Sequence, residues 1–126
     1  MTDTWARFVD YAALASGAEA GFAIDPASRW VEGHFPGDPT VPALAMLACV
    51  QDVVARWARA NGHDVRLNGL HKVRFRKKLS PPVEFGVRLE GLRPGTPDAR
   101  FDLVLRGAGD ASGSFCSGSA ALEWRS

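Results

Sequence analysis

A single histidine lies in a rigid stretch of the chain, directly before a strongly apolar segment. The stretch from Gly33 to Ala43 reads Gly-His-Phe-Pro-Gly-Asp-Pro-Thr-Val-Pro-Ala, with His34 near its start. Each of its prolines fixes a backbone torsion and removes a donor, so the pattern favours a stiff loop. The apolar segment that follows is predicted to be a helix, whose first N–H groups are free and carry a partial positive charge. A histidine held beside a helix start can move a proton next to a stabilised oxyanion, which is the chemistry of enolate formation.

This stretch resembles the active-site loop of the β-hydroxyacyl-ACP dehydratases of fatty acid synthesis, which carry a His-Phe-x-Gly-x-Pro-x-x-Pro-Gly motif. The match that starts at His34 is close up to its last residue, where Ala43 replaces glycine. The family also has a carboxylate fourteen residues after the histidine, and that position here is Ala48. The sequence therefore predicts a dehydratase scaffold in which the catalytic acid has been lost, moved or replaced.

The resemblance implies a mechanism on a 3-hydroxyacyl thioester. His34 would act on the α-carbon proton, and the backbone N–H of Ala43 would polarise the thioester carbonyl. A carboxylate would handle the departing 3-hydroxyl, and an alanine at position 48 cannot do so. Asp52 stands one helical turn later, roughly 6 Å further along the helix, where the family commonly has glutamine. The resemblance also places five residues against the substrate: Phe35, Gly37, Pro42, Ala43 and Ala48.

Two other side chains that could take part in a reaction, Asp52 and Cys49, have two interpretations each. Asp52 is either a displaced catalytic acid or a surface residue paired with Arg56 at i+4, where an ion pair contributes little. Cys49 is either a nucleophile that pairs with the loop histidine or a small buried hydrophobe. We expect His63 and His71 to face solvent.

The one local charge asymmetry is a basic cluster that includes Lys72, Arg74 and Arg76, followed by Lys77 and Lys78. A row of cations on a strand can simply be a solvated face or a protected sheet edge. Alternatively, it is a docking patch for an acidic acyl carrier protein or for the phosphates of CoA.

The elements that position these residues follow from the apolar spacing. The residues from Asp3 to Leu14 have helical spacing and predict a helix, and Glu19 to Ile24 predicts a strand. The main helix is predicted from Pro42 to about Ala60, with Asn61-Gly62 as its C-cap. Its first half, Ala43 to Val50, is apolar on all sides, so we expect it to be buried all round.

The second half of the chain is typical of antiparallel sheet. Apolar and polar residues alternate in three segments, which predicts strands over Leu70–Lys78, Val83–Glu90 and Phe101–Leu105. Ser114–Trp124, which is rich in small residues, is predicted to be a final strand. One long helix followed by consecutive strands predicts the α+β class. The family resemblance implies the hot-dog fold, a curled antiparallel sheet wrapped around one long central helix, as a single domain of residues 1–126.

Composition excludes several other classes of protein. The chain has 126 residues, 46% of them hydrophobic and 23% charged, which fits one globular domain. A net charge of +1 argues against a broad nucleic-acid-binding surface. No apolar run approaches the ~20 residues of a membrane span, and the first residues do not read as a signal peptide. Two cysteines, Cys49 and Cys116, favour a reduced cytoplasmic setting, and nothing in the sequence predicts a metal site or a cofactor.

The prediction is a cytoplasmic homodimer that acts as a dehydratase on 3-hydroxyacyl chains carried by acyl carrier protein or CoA. By resemblance, the histidine and the carboxylate of one site come from opposite subunits. Two alternatives stay open. The protein is a non-catalytic member that binds acyl thioesters or carrier protein, or it is a hot-dog thioesterase.

Overall fold

The computed structural model describes residues 6–24, 43–76, 83–106 and 114–125, and in these ranges one long helix accompanies one antiparallel sheet. The helix, α1, comprises Ala43–Asn61. The strands are β1 Arg7–Leu14, β2 Gly17–Ile24, β3 Asp64–Phe75, β4 Val83–Glu90, β5 Asp98–Leu105 and β6 Ser114–Arg125. Their order in the sheet is β1-β2-β4-β5-β6-β3, so β1 and β3 form its two edges. The predicted α+β arrangement is confirmed, and none of the described helical residues forms a segment long and apolar enough to cross a membrane.

Helix α1 packs on the sheet with one face only. Its buried side chains recur with helical spacing, as expected for a helix that covers a core. They are Cys49, Val50, Val53, Val54, Trp57 and Ala58. The expectation that Ala43–Val50 is buried all round fails at Ala48, which is exposed, and at Leu47, which is half-buried. The side chains at positions 43–46 lie outside the described part of the chain. A single sheet covers one side of a helix, however apolar the other sides are.

The C-terminal end of α1 is a Schellman cap. Gly62 adopts a left-handed backbone with φ of 70°. The Gly62 N–H donates to the carbonyl of Arg59 (3.4 Å), and the His63 N–H donates to the carbonyl of Ala58 (2.9 Å). Glycine adopts this conformation without the steric cost that a side chain brings, so the predicted cap at Asn61-Gly62 is confirmed.

The first described element is a strand, so the prediction of a helix over Asp3–Leu14 is wrong for Arg7–Leu14; residues 3–5 lie outside the described residues. In the pairing of β1 with β2, Phe8 lies opposite Phe22 and Asp10 lies opposite Gly21, so Val9 is an extra residue in a β-bulge. A bulge reverses the alternation of side chains. Phe8 and Tyr11, three residues apart, therefore share one face of the strand. The extra residue therefore hides the strict alternation that is typical of a strand.

The core is centred on β2, β4, β5 and β6, where aromatic rings pack between the strands and α1. Phe85 on β4 is fully buried, with its ring centroid 6.2 Å from that of Phe22 and 6.0 Å from that of Phe115. The predicted strands over Val83–Glu90 and Ser114–Trp124 agree with β4 and β6 to within one residue. The alternation in Val83–Glu90 placed the same apolar side chains inward.

Strand β3 starts earlier than predicted and is interrupted by bulges. The sequence predicted a strand over Leu70–Lys78, whereas β3 runs from Asp64 to Phe75. His71 and Arg74 pair with Ser119 and Ser117, so two residues of β3 oppose the single Gly118 of β6. Lys72, within this bulge, has a φ of 54°. The bulge disturbs the alternation, so Phe75, expected to point inward, is 38% exposed.

On the outer face of the sheet, the side chain of Arg106 crosses three strands. Its guanidinium donates to both carboxylate oxygens of Asp10 on β1 (2.9 and 3.0 Å) and to Glu19 on β2 (3.0 Å). It passes over Gly21 and Gly86, and a Cβ at Gly86 would lie 3.0 Å from Arg106 Nε. The two glycines leave the space that the arginine occupies, so Arg106 ties the edge strand to the sheet.

The charges of this outer cluster stabilise each other. Burial alone raises the pKa of Glu19, but hydrogen bonds from Arg106 and Arg88 outweigh it, and the pKa is lowered overall. Burial alone lowers the pKa of Arg106, yet its hydrogen bonds to Asp10 and Glu19 raise it above the ordinary value. Both groups stay charged around neutral pH, so the cluster persists there.

Candidate active site

The loop predicted to carry the general base ends where α1 begins. His34, Phe35, Gly37 and Pro42 lie outside the described residues. Ala43 is the first residue of α1, so its N–H belongs to the first turn, where no carbonyl within the helix is available to it. That the N–H groups at this helix start bind an oxyanion stays a prediction.

Position 48 and Asp52 lie on the same accessible face of α1. Ala48 is exposed, and the Asp52 side chain, one turn later, is 32% exposed. Oδ1 of Asp52 lies 3.2 Å from Nε of Arg56, so the ion pair predicted from the i,i+4 spacing exists. Asp52 is thus both reachable from solvent and held by a cation.

Arg56 has a second contact that the sequence did not predict. Its Cζ lies 3.6 Å from the ring centroid of Phe8 on β1, in the geometry of a cation–π interaction. Its Nε is buried and makes no hydrogen bond to another described group. The guanidinium thus lies between the Phe8 ring and the Asp52 carboxylate. Helical spacing alone does not reveal a contact across some fifty residues of sequence.

The cysteines have the properties of small core residues. Cys49 is 4% exposed and Cys116 is fully buried. Burial, with a smaller effect of the Asp52 charge, raises the pKa of Cys49 to about 12. Burial likewise raises the pKa of Cys116 to about 11. A thiol with so high a pKa supplies almost no thiolate at neutral pH, which favours the interpretation of Cys49 as a buried hydrophobe.

The two described histidines differ in environment. His71 on β3 is exposed, as expected. His63 is not simply solvent-facing, as the sequence suggested: its ring stacks on Trp57 with centroids 5.5 Å apart and meets the edge of Trp124 at 5.7 Å. The cap at Gly62 turns the chain back, which brings His63 over the buried end of α1. Its position indicates a packing role.

The basic residues predicted to dock a carrier lie on the edge strand β3. Lys72, Arg74 and Arg76 are all exposed. A guanidinium nitrogen of Arg76 donates to the Ser117 hydroxyl at 3.0 Å, and none of the salt bridges between described residues involves these three cations. They form an exposed basic patch, a name used below for Lys72, Arg74 and Arg76.

Comparison with known proteins finds a matching family and a similar curated protein. A family model described as ApeI-like, ApeI dehydratase, matches residues 13–118. The 3-hydroxyacyl-[acyl-carrier-protein] dehydratase FabZ of Enterococcus faecalis is 28% identical over 57 residues. That alignment covers 42% of this chain and 40% of the FabZ chain, so it spans less than half of either protein.

Solved structures share the fold along nearly the whole chain. An uncharacterised protein from Erwinia carotovora subsp. atroseptica has a TM-score of 0.75 at 21% identity, covering 94% of this chain and 96% of that one. The dehydratase heterocomplex ApeI:P from Xenorhabdus doucetiae has a TM-score of 0.67 at 21% identity, covering 93% and 96%. A putative thioesterase from Pseudomonas aeruginosa has a TM-score of 0.61 at 18% identity, covering 84% and 82%. At these identities the likeness shows the fold alone.

The family assignment rests on the sequence match, and the fold rests on the curled antiparallel sheet with its single helix. Both agree with the motif that starts at His34. The chain therefore belongs to the ApeI-like dehydratase family and has the hot-dog fold.

Proposed function

We propose that the protein is a hydro-lyase that dehydrates 3-hydroxyacyl thioesters, carried on acyl carrier protein or CoA, in fatty acid or polyketide-type metabolism. Membership of the dehydratase family and the similarity to FabZ support this. The observation that carries the proposal is the geometry of α1. It begins at Ala43, directly after the histidine loop, and presents position 48 and Asp52 on one accessible face.

In the proposed mechanism, His34 removes the proton from C2 of the substrate. The N–H of Ala43 donates to the thioester oxygen, which becomes negative as the enolate forms. The C3–O bond then breaks, and Asp52, as the general acid, gives a proton through one bridging water to the hydroxyl, which leaves as water. The proton held by His34 then returns to Asp52 through water, so that both groups are restored. Ala48 leaves open the space that a larger side chain would fill, and a separation of roughly 6 Å along the helix fits one bridging water. The elimination is redox-neutral, so it requires no cofactor.

The direct test follows hydration of an enoyl thioester, the reverse reaction, by loss of its ultraviolet absorbance. We expect the purified protein to hydrate enoyl chains on acyl carrier protein or CoA. If the wild type and the Ala48→Glu variant are both inactive on both carriers with chains of several lengths, the enzyme proposal is wrong.

A non-catalytic binding function is the second candidate. The absence of a carboxylate at position 48 and the engagement of Asp52 with Arg56 favour it. In this case the chain would bind acyl thioesters or carrier protein as the inactive half of a heterodimer. One structural neighbour, ApeI:P, is a dehydratase heterocomplex. A thioesterase is distinguished by release of free thiol, but that chemistry also needs a carboxylate near the helix.

We expect the protein to form a homodimer with two sites at its interface. Strand β3 is twelve residues long and lies at the edge of the sheet, where unpaired backbone groups favour pairing with a second copy. Closure by two-fold symmetry would place the histidine of one subunit beside the helix of the other. Analytical ultracentrifugation at micromolar concentration should show a dimer, and a stable monomer there would contradict the shared site.

The basic patch is proposed to recruit the carrier. Reversing two of its charges, Arg74→Glu and Arg76→Glu, should raise the KM for carrier-bound substrate roughly tenfold, because the patch attracts an acidic partner. The effect should shrink as salt rises. Small thioester analogues, which lack the carrier, should be turned over almost normally. Arg66→Glu, on the same strand but outside the patch, is the control, and equal loss on both substrates would contradict docking.

We propose that residues 1–126 form one domain. We also propose that the protein acts in the cytoplasm. Cys49 and Cys116 are both thiols in the structure, as they would be in a reducing compartment. Fractionation of cells that produce the tagged full chain tests the location.

A further inference from the structure

We propose that Arg56 is a positioning residue that holds the Asp52 carboxylate on the accessible face of α1, and that the ring of Phe8 fixes Arg56 in turn. The proposal rests on the proposed function in one respect, since it takes Asp52 to be the carboxylate that serves the substrate hydroxyl. It adds Phe8, on the edge strand β1, to the residues that support a site on α1.

The ion pair differs from an ordinary pair on a helix surface. Exposed partners at i and i+4 contribute little, because two long side chains lose freedom when they hold one geometry. Here the side chain of Arg56 is 29% exposed, and its Cζ lies 3.6 Å from the centroid of the Phe8 ring. In this proposal the ring holds the guanidinium in place. Asp52 therefore meets a fixed cation at 3.2 Å.

Phe8 is itself well anchored on its inner side, although 38% of its surface is exposed. Its ring meets the ring of Phe22 edge to face, with centroids 6.1 Å apart, and Phe22 is 2% exposed. The bulge at Val9 gives β1 the alternation that points Phe8 toward α1. The chain of contacts thus runs from the core through Phe22 and Phe8 to Arg56 and Asp52.

The contact requires an arginine. A planar guanidinium stacks on a ring face and presents its edge to a carboxylate at the same time, whereas the compact ammonium of lysine is a point charge. Nε of Arg56 lies 3.2 Å from Oδ1 of Asp52, but it forms no hydrogen bond in the described part of the chain. Arg56 therefore acts as a fixed charge beside Asp52, and the stacked plane sets its place.

The first measurement does not depend on activity. The Nε–Hε group of Arg56 should show a high heteronuclear NOE by NMR in the wild type, close to that of the α1 backbone. In Phe8→Leu it should fall to the level of Arg59, an exposed arginine on the same helix that serves as the internal reference. If Arg56 is as mobile as Arg59 in the wild type, the positioning proposal is wrong, whatever the enzyme does.

The second measurement is kinetic, on hydration of an enoyl thioester far below the unfolding temperature. Arg56→Met and Phe8→Leu should each lower kcat roughly tenfold with little change in KM, since a small displacement of a catalytic group is costly. The double variant should be no slower than Arg56→Met alone, because Phe8 acts through Arg56. Arg56→Lys should recover only part of the loss, and the control Arg59→Met should behave as wild type.

The outcomes separate this proposal from the proposed function. If Arg56 is ordered but the protein is inactive, the dehydratase function is overturned, while the contact between Arg56 and the Phe8 ring stands. An active enzyme with unchanged kcat in Phe8→Leu and Arg56→Met would overturn positioning alone. If Phe8→Leu fails to fold, Arg56→Met, whose side chain needs no new space, decides the kinetic question.

Discussion

Replacement of His34 by alanine is expected to abolish hydration of enoyl thioesters, with a loss on the order of 10²–10⁴-fold in kcat. The reason is that the proposed mechanism has one group for the C2 proton, and no other described histidine approaches α1 with a free ring. His71→Ala is the matched control, because His71 is exposed on β3. A His34→Ala variant that retains more than a tenth of the activity would contradict its role as the base.

The partner substitution tests the acid half of the same site. If Asp52 serves the departing hydroxyl, Asp52→Asn should reduce kcat nearly as much as His34→Ala, because an amide cannot deliver a proton. If instead Asp52→Asn is mild and Ala48→Glu raises the rate, the family's ordinary acid is absent and Asp52 is only a partner of Arg56. Ala60→Glu, the same change at the exposed end of α1, controls for added charge.

The largest expected effect on stability comes from Phe85→Ala. Phe85 is fully buried on β4, and its ring contacts Phe22 on one side and Phe115 on the other. Removal of a buried ring from such a site costs about 3–5 kcal/mol of unfolding free energy, through lost burial and the cavity left behind. Chemical denaturation at a fixed protein concentration measures it, since assembly would otherwise shift the result.

The control for this variant is Phe75→Ala. Phe75 is 38% exposed at the end of the edge strand β3. Its replacement should cost about 1 kcal/mol or less, because surface changes are usually small. Equal losses for the two variants would mean that the core is not centred on β4.

Local patterns predicted the elements whose signals lie within the element itself. The alternation of β4 and the cap at Gly62 each express a short-range rule, and the structure agrees with both. The prediction for β1 was wrong because the extra residue Val9 in the bulge breaks the alternation that would have indicated a strand. A bulge is defined by the partner strand, so the sequence of β1 alone does not reveal it.

The candidate site likewise contains contacts that the local sequence predicts and contacts that it does not. The pairing of Asp52 with Arg56 follows from helix geometry and was predicted. The Phe8 ring against Arg56 and the two tryptophans around His63 depend on how distant elements pack, which spacing along the chain does not encode. The motif at His34 identified the family. Whether the site is active with an alanine at position 48 is decided by the enzyme assay, because the sequence pattern does not determine it.

The Arg106 side chain that lies over Gly21 and Gly86 has an evolutionary consequence. A side chain introduced at position 21 would overlap with the guanidinium and with the carboxylate of Asp10. A larger residue at position 21 or 86 therefore requires the Arg106 side chain to move away, with loss of its ion pairs, or to be replaced. The three positions should covary among relatives: an arginine at 106 accompanies glycines at 21 and 86.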